Sequence, residues 1–516
     1  MTGLAPVPPG FLASHPEYAD TAALDLLRAN EYSHLDAGGG IYLDYTGAGV
    51  AAESQYRAHA DRLRSGCYGN PHSENPTSRA STELVESARR AVLSFFNADP
   101  AEYAAIFTAN ASAACRLVGE SYHFRGRRCV LTFDNHNSVN GIRQFARSAG
   151  ASVRYVPSRG GDLRVSFADI DRTLRGRGLF CYPAQSNFTG VQHPLDWVEF
   201  AHSRGYQVLL DAAAYVPTNP LDLSVVKPDF VPVSWYKVFG YPTGVGCLLA
   251  RRDALAQLRR PWFAGGTIQA VSVQGNWHVL AEDESAFEDG TLNFLAIPDI
   301  EVGIRWIQEI GVDLIRRRVR SLTGWLLERL RSLRHENSRP MIRIYGPTTT
   351  VGRGGTVTFN IVDPTGVLID ERLVSTESAA AGISLRTGCS AIRAPARTLS
   401  PSLAVRSGAP SAAARGPSTT TSPASACPPA APSGCRSAWS PRSRTWSAWS
   451  PSSSARTPTA PPTTTGPRTP PALLNRVFSA GPVVRLIDRG TMSRTRHRVR
   501  DIVPHSTTNQ PSKPDK

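Results

Sequence analysis

A chain of 516 residues, 41% of them apolar, is long enough for one large two-part enzyme or several small modules, and it holds no apolar run long enough to cross a bilayer, so a membrane-spanning protein is excluded. Its formal charge of +15 comes from 57 Lys and Arg against 42 Asp and Glu, but Ala391 to Lys516 alone holds 18 basic and 3 acidic residues, which leaves the first 390 residues neutral. A field for phosphate backbones would have to reside in that tail, which lacks the interleaved aromatic and basic order of a nucleic-acid binder, so no nucleic-acid partner is expected, and without an apolar span no membrane partner either. The 8 cysteines show no C-x-x-C spacing, which argues against a disulfide framework and against a metal site. Met1 to Tyr18 carries no basic leader and no continuous apolar stretch, and a cytoplasmic location is the expectation.

In chain order, residues 1–40 read as an N-terminal helical segment. Residues 41–297 alternate short β-rich runs with amphipathic stretches. The runs are Ala105 to Phe107, Cys129 to Phe133, Ser152 to Val156, Leu179 to Tyr182, Gln207 to Leu210, Phe230 to Val233 and Gly246 to Leu249. Helical patterns fall at Ser81 to Phe96, Val139 to Ala149 and Leu195 to Ser203. Such alternation predicts an α/β fold, a large domain on a mainly parallel sheet with ligands at the carboxyl ends of its strands. A long helical pattern from Pro298 to Arg334 and strand candidates at Met341 to Tyr345 and Thr356 to Ile361 predict a small α+β domain over 298–389. Residues 390–516 turn to Ser, Pro, Ala, Thr and Arg without a sustained period, the composition of a low-complexity, disordered basic tail.

Three places carry chemistry. Phe107-Thr-Ala-Asn-Ala-Ser112 leaves a strand for a helix with small residues, so the N–H groups of Ala111 and Ser112 and the Ser112 hydroxyl could cradle a phosphate, although an Asn or Ser here also serves as a plain N-cap. Leu209-Leu-Asp211 ends an apolar strand with a carboxylate able to keep a pyridine nitrogen protonated, or simply to cap the next turn. Lys237 follows a buried strand and precedes a glycine-rich turn, where desolvation lowers an amine's pKa and makes it a nucleophile toward an aldehyde; alone, such a lysine is more often an exposed charge.

The order of these elements, with Asp134-Asn-His-Asn-Ser-Val139 and with Asn187 before Gly190, resembles the class V aminotransferase family of pyridoxal-phosphate enzymes, which includes the cysteine desulfurases. Within it, Tyr42-Leu-Asp-Tyr-Thr-Gly-Ala-Gly49, Tyr236-Lys-Val-Phe-Gly-Tyr-Pro-Thr-Gly244, Phe263-Ala-Gly-Gly-Thr267 and Phe287-Glu-Asp-Gly-Thr291 are similar to the N-terminal domain of the molybdenum cofactor sulfurase branch. The resemblance implies the PLP-dependent transferase fold, pyridoxal 5'-phosphate as cofactor and L-cysteine as substrate. Sulfur would be removed to give alanine and an enzyme persulfide, with a sulfur acceptor downstream. It implies that Lys237 bonds the cofactor and shuttles a proton, that His136 stacks on the ring, that Asn187 bonds the ring hydroxyl and that Asp211 pairs with the ring nitrogen. Ser112, Ser234 and Tyr236 would hold the phosphate, joined across a homodimer by Thr291 of the neighbouring protomer. Arg386 would assist substrate binding, with a structural salt bridge as the competing reading. Ala214 stands where the family usually has Gln, so one bond to the ring hydroxyl is absent. Other class V outcomes, transamination or elimination, and a catalytically dead cofactor-binding remnant remain as alternatives.

Leu385-Arg-Thr-Gly-Cys389 matches the start of the family's cysteine loop, which typically continues Phe-Cys-Asn-Pro-Gly-Ala; the second cysteine, the desulfurase nucleophile, falls on Ala391 here. Cys389 is then the remaining candidate thiol. One lost T in a GC-rich coding sequence for that loop yields Cys389-Ser-Ala-Ile-Arg-Ala-Pro-Ala396, and the same shift at Ser433-Gly-Cys-Arg-Ser-Ala-Trp-Ser440 restores Arg-Val-Ser-Leu-Gly-Leu-Val-Ser, similar to the family's closing motif. Everything after Cys389 therefore reads as out-of-frame translation, whose basic, Pro-rich character is a codon artefact. Sequencing the gene between the codons for Arg386 and Arg397 is expected to show a single missing base; an intact frame overturns this reading.

Overall fold

All seven β-rich runs become strands of a single sheet. The computed structural model describes residues 7–71 and 73–388; the tail, Cys389 and the frame shift lie outside the described residues. The strands are β1 (Tyr103–Thr108), β2 (Arg128–Thr132), β3 (Ser152–Val156), β4 (Gly178–Pro183), β5 (Tyr206–Asp211), β6 (Phe230–Ser234) and β7 (Gly246–Arg251), in the order β1-β7-β6-β5-β4-β2-β3. The pairs β2·β3, β2·β4, β4·β5 and β5·β6 are parallel, and β7 runs antiparallel to both neighbours. This is the expected α/β architecture with a large, mainly parallel sheet.

The near-continuous apolar runs have a physical origin, because both faces of the sheet are covered. Ala105 and Phe107 of β1, with Cys247 and Leu249 of β7, face a core that includes Ala88 and Val92 of helix α1 (Pro76–Phe95). Ala104, Ile106, Leu248 and Ala250 face the other core, with Ala114, Leu117 and Val118 of helix α2 (Ala111–Ser121). Asn75 starts α1 by accepting the Ser78 N–H, with Pro76 in the first helical position. After β6 the chain enters the short helix α3 (Trp235–Phe239) at once.

The long pattern from Pro298 is two helices, α4 (Pro298–Ile310) and α5 (Val312–Ser332), because Gly311 adopts φ +88°, which L side chains rarely adopt. The pattern from Val139 likewise divides at Gly141 into Asn137–Asn140 and Ile142–Ser148. Strands Ile342–Tyr345 and Thr358–Ile361 pair antiparallel, Ile342 opposite Ile361, and pack on Leu326 and Leu330 of α5. The hairpin Ile268–Ser272 with Trp277–Leu280 escaped the sequence reading, since its strands are largely exposed and lack a buried face to impose alternation. The N-terminal segment holds short helices that fasten to α5: Arg318 donates to Tyr18 Oη at 2.8 Å and to Asp25 Oδ1 at 2.6 Å, and Phe11 sits edge-on to Trp325. No described helix is long and apolar enough to cross a membrane.

One glycine lets the sheet's antiparallel strand meet the start of α2. Gly246 pairs with Ser234 on one side and Thr108 on the other, and a Cβ there would lie 2.7 Å from Asn110 Cα and from the Val233 carbonyl oxygen. Those atoms are backbone and cannot swing aside, so Gly246→Ala is expected to cost about 1–3 kcal/mol. Urea unfolding of the two proteins checks this; an unchanged midpoint contradicts it.

Candidate active site

The chemistry-bearing residues gather where the parallel strands end, because β2, β4, β5 and β6 all release their loops at the same edge of the sheet. Asp211 is the last residue of β5, and Lys237 is the third residue of α3, the helix that follows β6 directly. Asp211 is buried, and its Oδ1 accepts the Ala213 N–H at 3.0 Å. Burial pushes the Lys237 amine below its ordinary value; the Asp211 carboxylate opposes that shift and the charge of Arg386 adds to it. Burial likewise lowers His136, with Asp211 opposing and Lys237 reinforcing. The three groups therefore sense one another's charge in one place, where Asp211 is buried and Lys237 and His136 are half-buried.

His136 caps the helix Asn137–Asn140. Its Nδ1 accepts the Ser138 N–H at 3.1 Å, which assigns the ring proton to Nε2 in the neutral form. Ser138 Oγ stands 3.0 Å from the same Nδ1 and 2.5 Å from Ser112 Oγ, joining the histidine to the N-terminus of α2. Asn110 caps that helix by accepting the Ala113 N–H at 3.0 Å. The Ala111 N–H, expected to be free, instead donates to the buried Ser234 Oγ at 3.0 Å, because β7 brings the end of β6 against the start of α2. Among the described residues the Ser112 N–H has no partner.

Asn187 is half-buried in the loop closed by the Gly190 N–H on the Ser186 carbonyl at 3.0 Å, and its amide bonds no described residue. Tyr236 lies beside Lys237, and its carbonyl accepts the Gly49 N–H at 3.0 Å, which docks the Tyr42 to Gly49 loop on α3. Arg386 is tied into a bidentate pair with Asp44, Nε to Oδ1 at 2.9 Å and an amino group to Oδ2 at 2.8 Å. The salt-bridge reading of Arg386 is thus realised, while its charge still reaches Lys237 and Tyr236. Thr291 is exposed and accepts the Asn70 amide at 3.3 Å rather than joining the Lys237 cluster. Its segment is anchored through Glu288, which accepts the Phe107 N–H at 2.8 Å and pairs with buried Arg89 at 2.9 Å. Cys389 lies outside the described residues.

Two contributors escaped the sequence reading. Ser138 was legible only as part of the Asp134 to Val139 segment. His193, 59 residues from Asp134, gave no local signal, yet its Nε2 lies 2.8 Å from Asp134 Oδ2, both residues buried, with its ring stacked on Trp197. Burial alone would raise Asp134, but the charge and hydrogen bond of His193 hold its carboxyl below the ordinary value. This pair steadies the turn that delivers His136.

The residues present fit pyridoxal 5'-phosphate. A buried carboxylate retains one oxygen that no described hydrogen bond uses, a desolvated amine stands beside it, and a helix N-terminus offers an unpartnered N–H flanked by serine hydroxyls. The family model Aminotransferase class-V matches residues 41–408. A molybdenum cofactor sulfurase of Solanum lycopersicum is 37% identical over 402 residues, covering 71% of this chain and 49% of its own, so the chain spans about half the length of the curated relatives it matches. Among solved structures, a cysteine desulfurase from Thermococcus onnurineus NA1 superimposes with a TM-score of 0.61 at 24% identity, covering 70% of this chain and 87% of its own. A C-DES mutant with glycine covalently linked to the PLP cofactor does so with a TM-score of 0.57 at 21% identity, over 70% and 91% of the two chains. At these identities the solved structures establish the fold.

The lowered Lys237 amine has a direct readout. With the protein at a series of pH values, brief exposure to pyridoxal 5'-phosphate and borohydride is expected to label Lys237 with a midpoint below the ordinary 10.5 of lysine. Asp211→Asn is expected to move that midpoint lower still, because the carboxylate favours the charged amine. Mass spectrometry of the labelled peptide measures both, and a midpoint at or above that of free lysine contradicts the electrostatics.

Proposed function

The chain belongs to the aminotransferase class-V family, and from that membership we propose that it is a pyridoxal 5'-phosphate enzyme that takes sulfur from L-cysteine, leaving alanine and a persulfide on the protein. The observation that carries this reading is the half-buried Lys237 amine within reach of the charges of Asp211 and Arg386, whose pKa desolvation pushes below that of an ordinary lysine, so that more of it is a neutral nucleophile. Pyridoxal 5'-phosphate supplies an electron-withdrawing ring that stabilises negative charge at the substrate Cα.

The protein's own groups then have distinct tasks. With the cofactor bound, Asp211 would pair with the ring nitrogen and keep it protonated, and neutral His136, its proton on Nε2, would stack on the ring. Asn187 offers its free amide to the ring hydroxyl. The positive end of α2 with the Ser112 N–H and hydroxyl, together with Ser234 and Tyr236, holds the phosphate; Ala111 joins them when Ser234 releases its N–H. Thr291, exposed and outside the cluster of its own protomer, serves the phosphate of a partner subunit in a homodimer. Arg386 exchanges Asp44 for the substrate carboxylate, since both present the same bidentate pair of oxygens. Lys237 Nζ moves the proton at the substrate Cα.

Sulfur transfer needs a thiolate, which bonds the substrate sulfur as the C–S bond breaks and a proton reaches the carbon that becomes the alanine methyl. Burial pushes the thiols of Cys115 and Cys181 up, and both sit in the apolar core, so they serve packing. Cys389 follows Arg386 by three residues and is the thiol we assign, with a sulfur acceptor taking the persulfide onward.

Incubation with pyridoxal 5'-phosphate and L-cysteine is expected to give alanine in step with persulfide, together with a visible cofactor band that Lys237→Ala removes. A borohydride-reducible chromophore undiminished in that variant takes the lysine out of its role. Pyruvate in place of alanine moves the reading to a lyase, and a cofactor band without turnover moves it to a binding remnant.

A further inference from the structure

Away from the Lys237 cluster, helix α5, the N-terminal segment and the turn over residues 350–354 enclose a cavity of about 540 Å3, a size suited to a small-molecule ligand. Its lining is strongly basic. Arg316, Arg317 and Arg320 enter from α5, spaced so that one face of the helix presents all three. Arg353 enters from the opposite wall and is only 6% exposed.

The charges of these arginines are poorly balanced within the protein. Arg316 pairs with Asp313 at 2.9 Å, Arg317 approaches Asp20 only at 3.7 Å, and Arg320 has no carboxylate partner among the described residues. Arg353 is held by carbonyl oxygens alone, those of Thr189, Pro347, Gly354 and Thr356. Burial, with the nearby Arg164 adding to it and Asp162 opposing, pushes its guanidinium down to about 10. A buried cation without a counter-ion is costly, and an anion in the cavity relieves that cost. The acid that lines the cavity, Glu17, is an exposed residue.

The remaining wall is polar and preformed. Gln192 donates to Asn219 at 3.2 Å and to Gln185 at 3.0 Å, and Asn219 is buried. Guanidinium forks match the geometry of phosphate oxygens, and several of them converging on one space favour a multiply charged anion over a carboxylate. We propose that this cavity binds a phosphate-bearing small molecule, its phosphate on Arg320 and Arg353 and its body against Asn219 and Gln192. The site is separate from the cofactor site, because none of the residues gathered around Lys237 lines it. It is nonetheless joined to the loop that carries Asn187, through the Gly354 N–H on the Gly190 carbonyl at 2.8 Å and the Gln192 N–H on the Gly352 carbonyl at 3.0 Å.

Calorimetric titration of inorganic pyrophosphate into the full chain, first saturated with pyridoxal 5'-phosphate so that any phosphate cradle at Ser112 is filled, tests the proposal. Saturable binding is expected, with the dissociation constant raised at least about tenfold in the Arg316→Gln/Arg320→Gln double variant. Both substituted side chains are exposed, so the fold is retained, and thermal melting verifies that. Arg353→Lys, which keeps the charge but loses the fork, is expected to weaken binding as well. No saturable binding to the parent chain overturns the proposal, as does binding undiminished in the double variant, the result expected if the basic tail captures the anion.

Discussion

The structure depends on holding a primary amine partly out of water within reach of a buried carboxylate's charge. Lys237 and Asp211 come close enough to sense each other's charge because two adjacent parallel strands, β5 and β6, end at the same edge, and no stretch of local sequence could arrange that meeting. Desolvation disfavours the charged amine and the carboxylate restores part of what is lost, so the lysine is set between an ordinary surface amine and a permanently neutral one. Chemistry on an aldehyde needs that balance, since a fully charged amine is not a nucleophile.

The surroundings serve the same constraint by fixing what the two groups face. β7, running against its neighbours, carries the glycine that allows the first turn of α2 to lie against the end of β6. Ser234 then touches the helix start directly. His136 is oriented from both directions, by Ser138 on its own turn and, further back, by the Asp134–His193 pair. The Tyr42 to Gly49 loop rests on α3 through the Gly49 N–H, and the last described segment of the chain is fastened to it twice, by the parallel pairing of Ile383–Ser384 with Ile41–Tyr42 and by the charge pair of Arg386 with Asp44.

Much of the fold was legible in the sequence, and the reason is burial. Strands covered on both faces must be apolar throughout, which made all but one of β1 to β7 visible as short β-rich runs; the edge strand β3, Ser-Val-Arg-Tyr-Val, is partly exposed and showed instead by its alternation of apolar and polar residues. The exposed hairpin at residues 268–280 is under no such demand and left no pattern. The helical stretch after Pro298 was readable in extent, but its division depended on the backbone angle of Gly311. In the site, Lys237 and Asp211 were found because each sits beside a strand end that the pattern already marked, whereas His136 came only with the family resemblance.

The sequence by itself determined which residues could carry the chemistry and the order in which strands and helices occur, because burial and periodicity are written locally. Only the tertiary structure decided which partners those residues have. It gave the Ala111 N–H to Ser234, the fork of Arg386 to Asp44, the carboxylate of Asp134 to a histidine far along the chain, and four arginines to one cavity. Hydrogen bonds and charge pairs act over a few ångströms whatever the separation along the chain, so their partners are chosen by how the strands and helices pack.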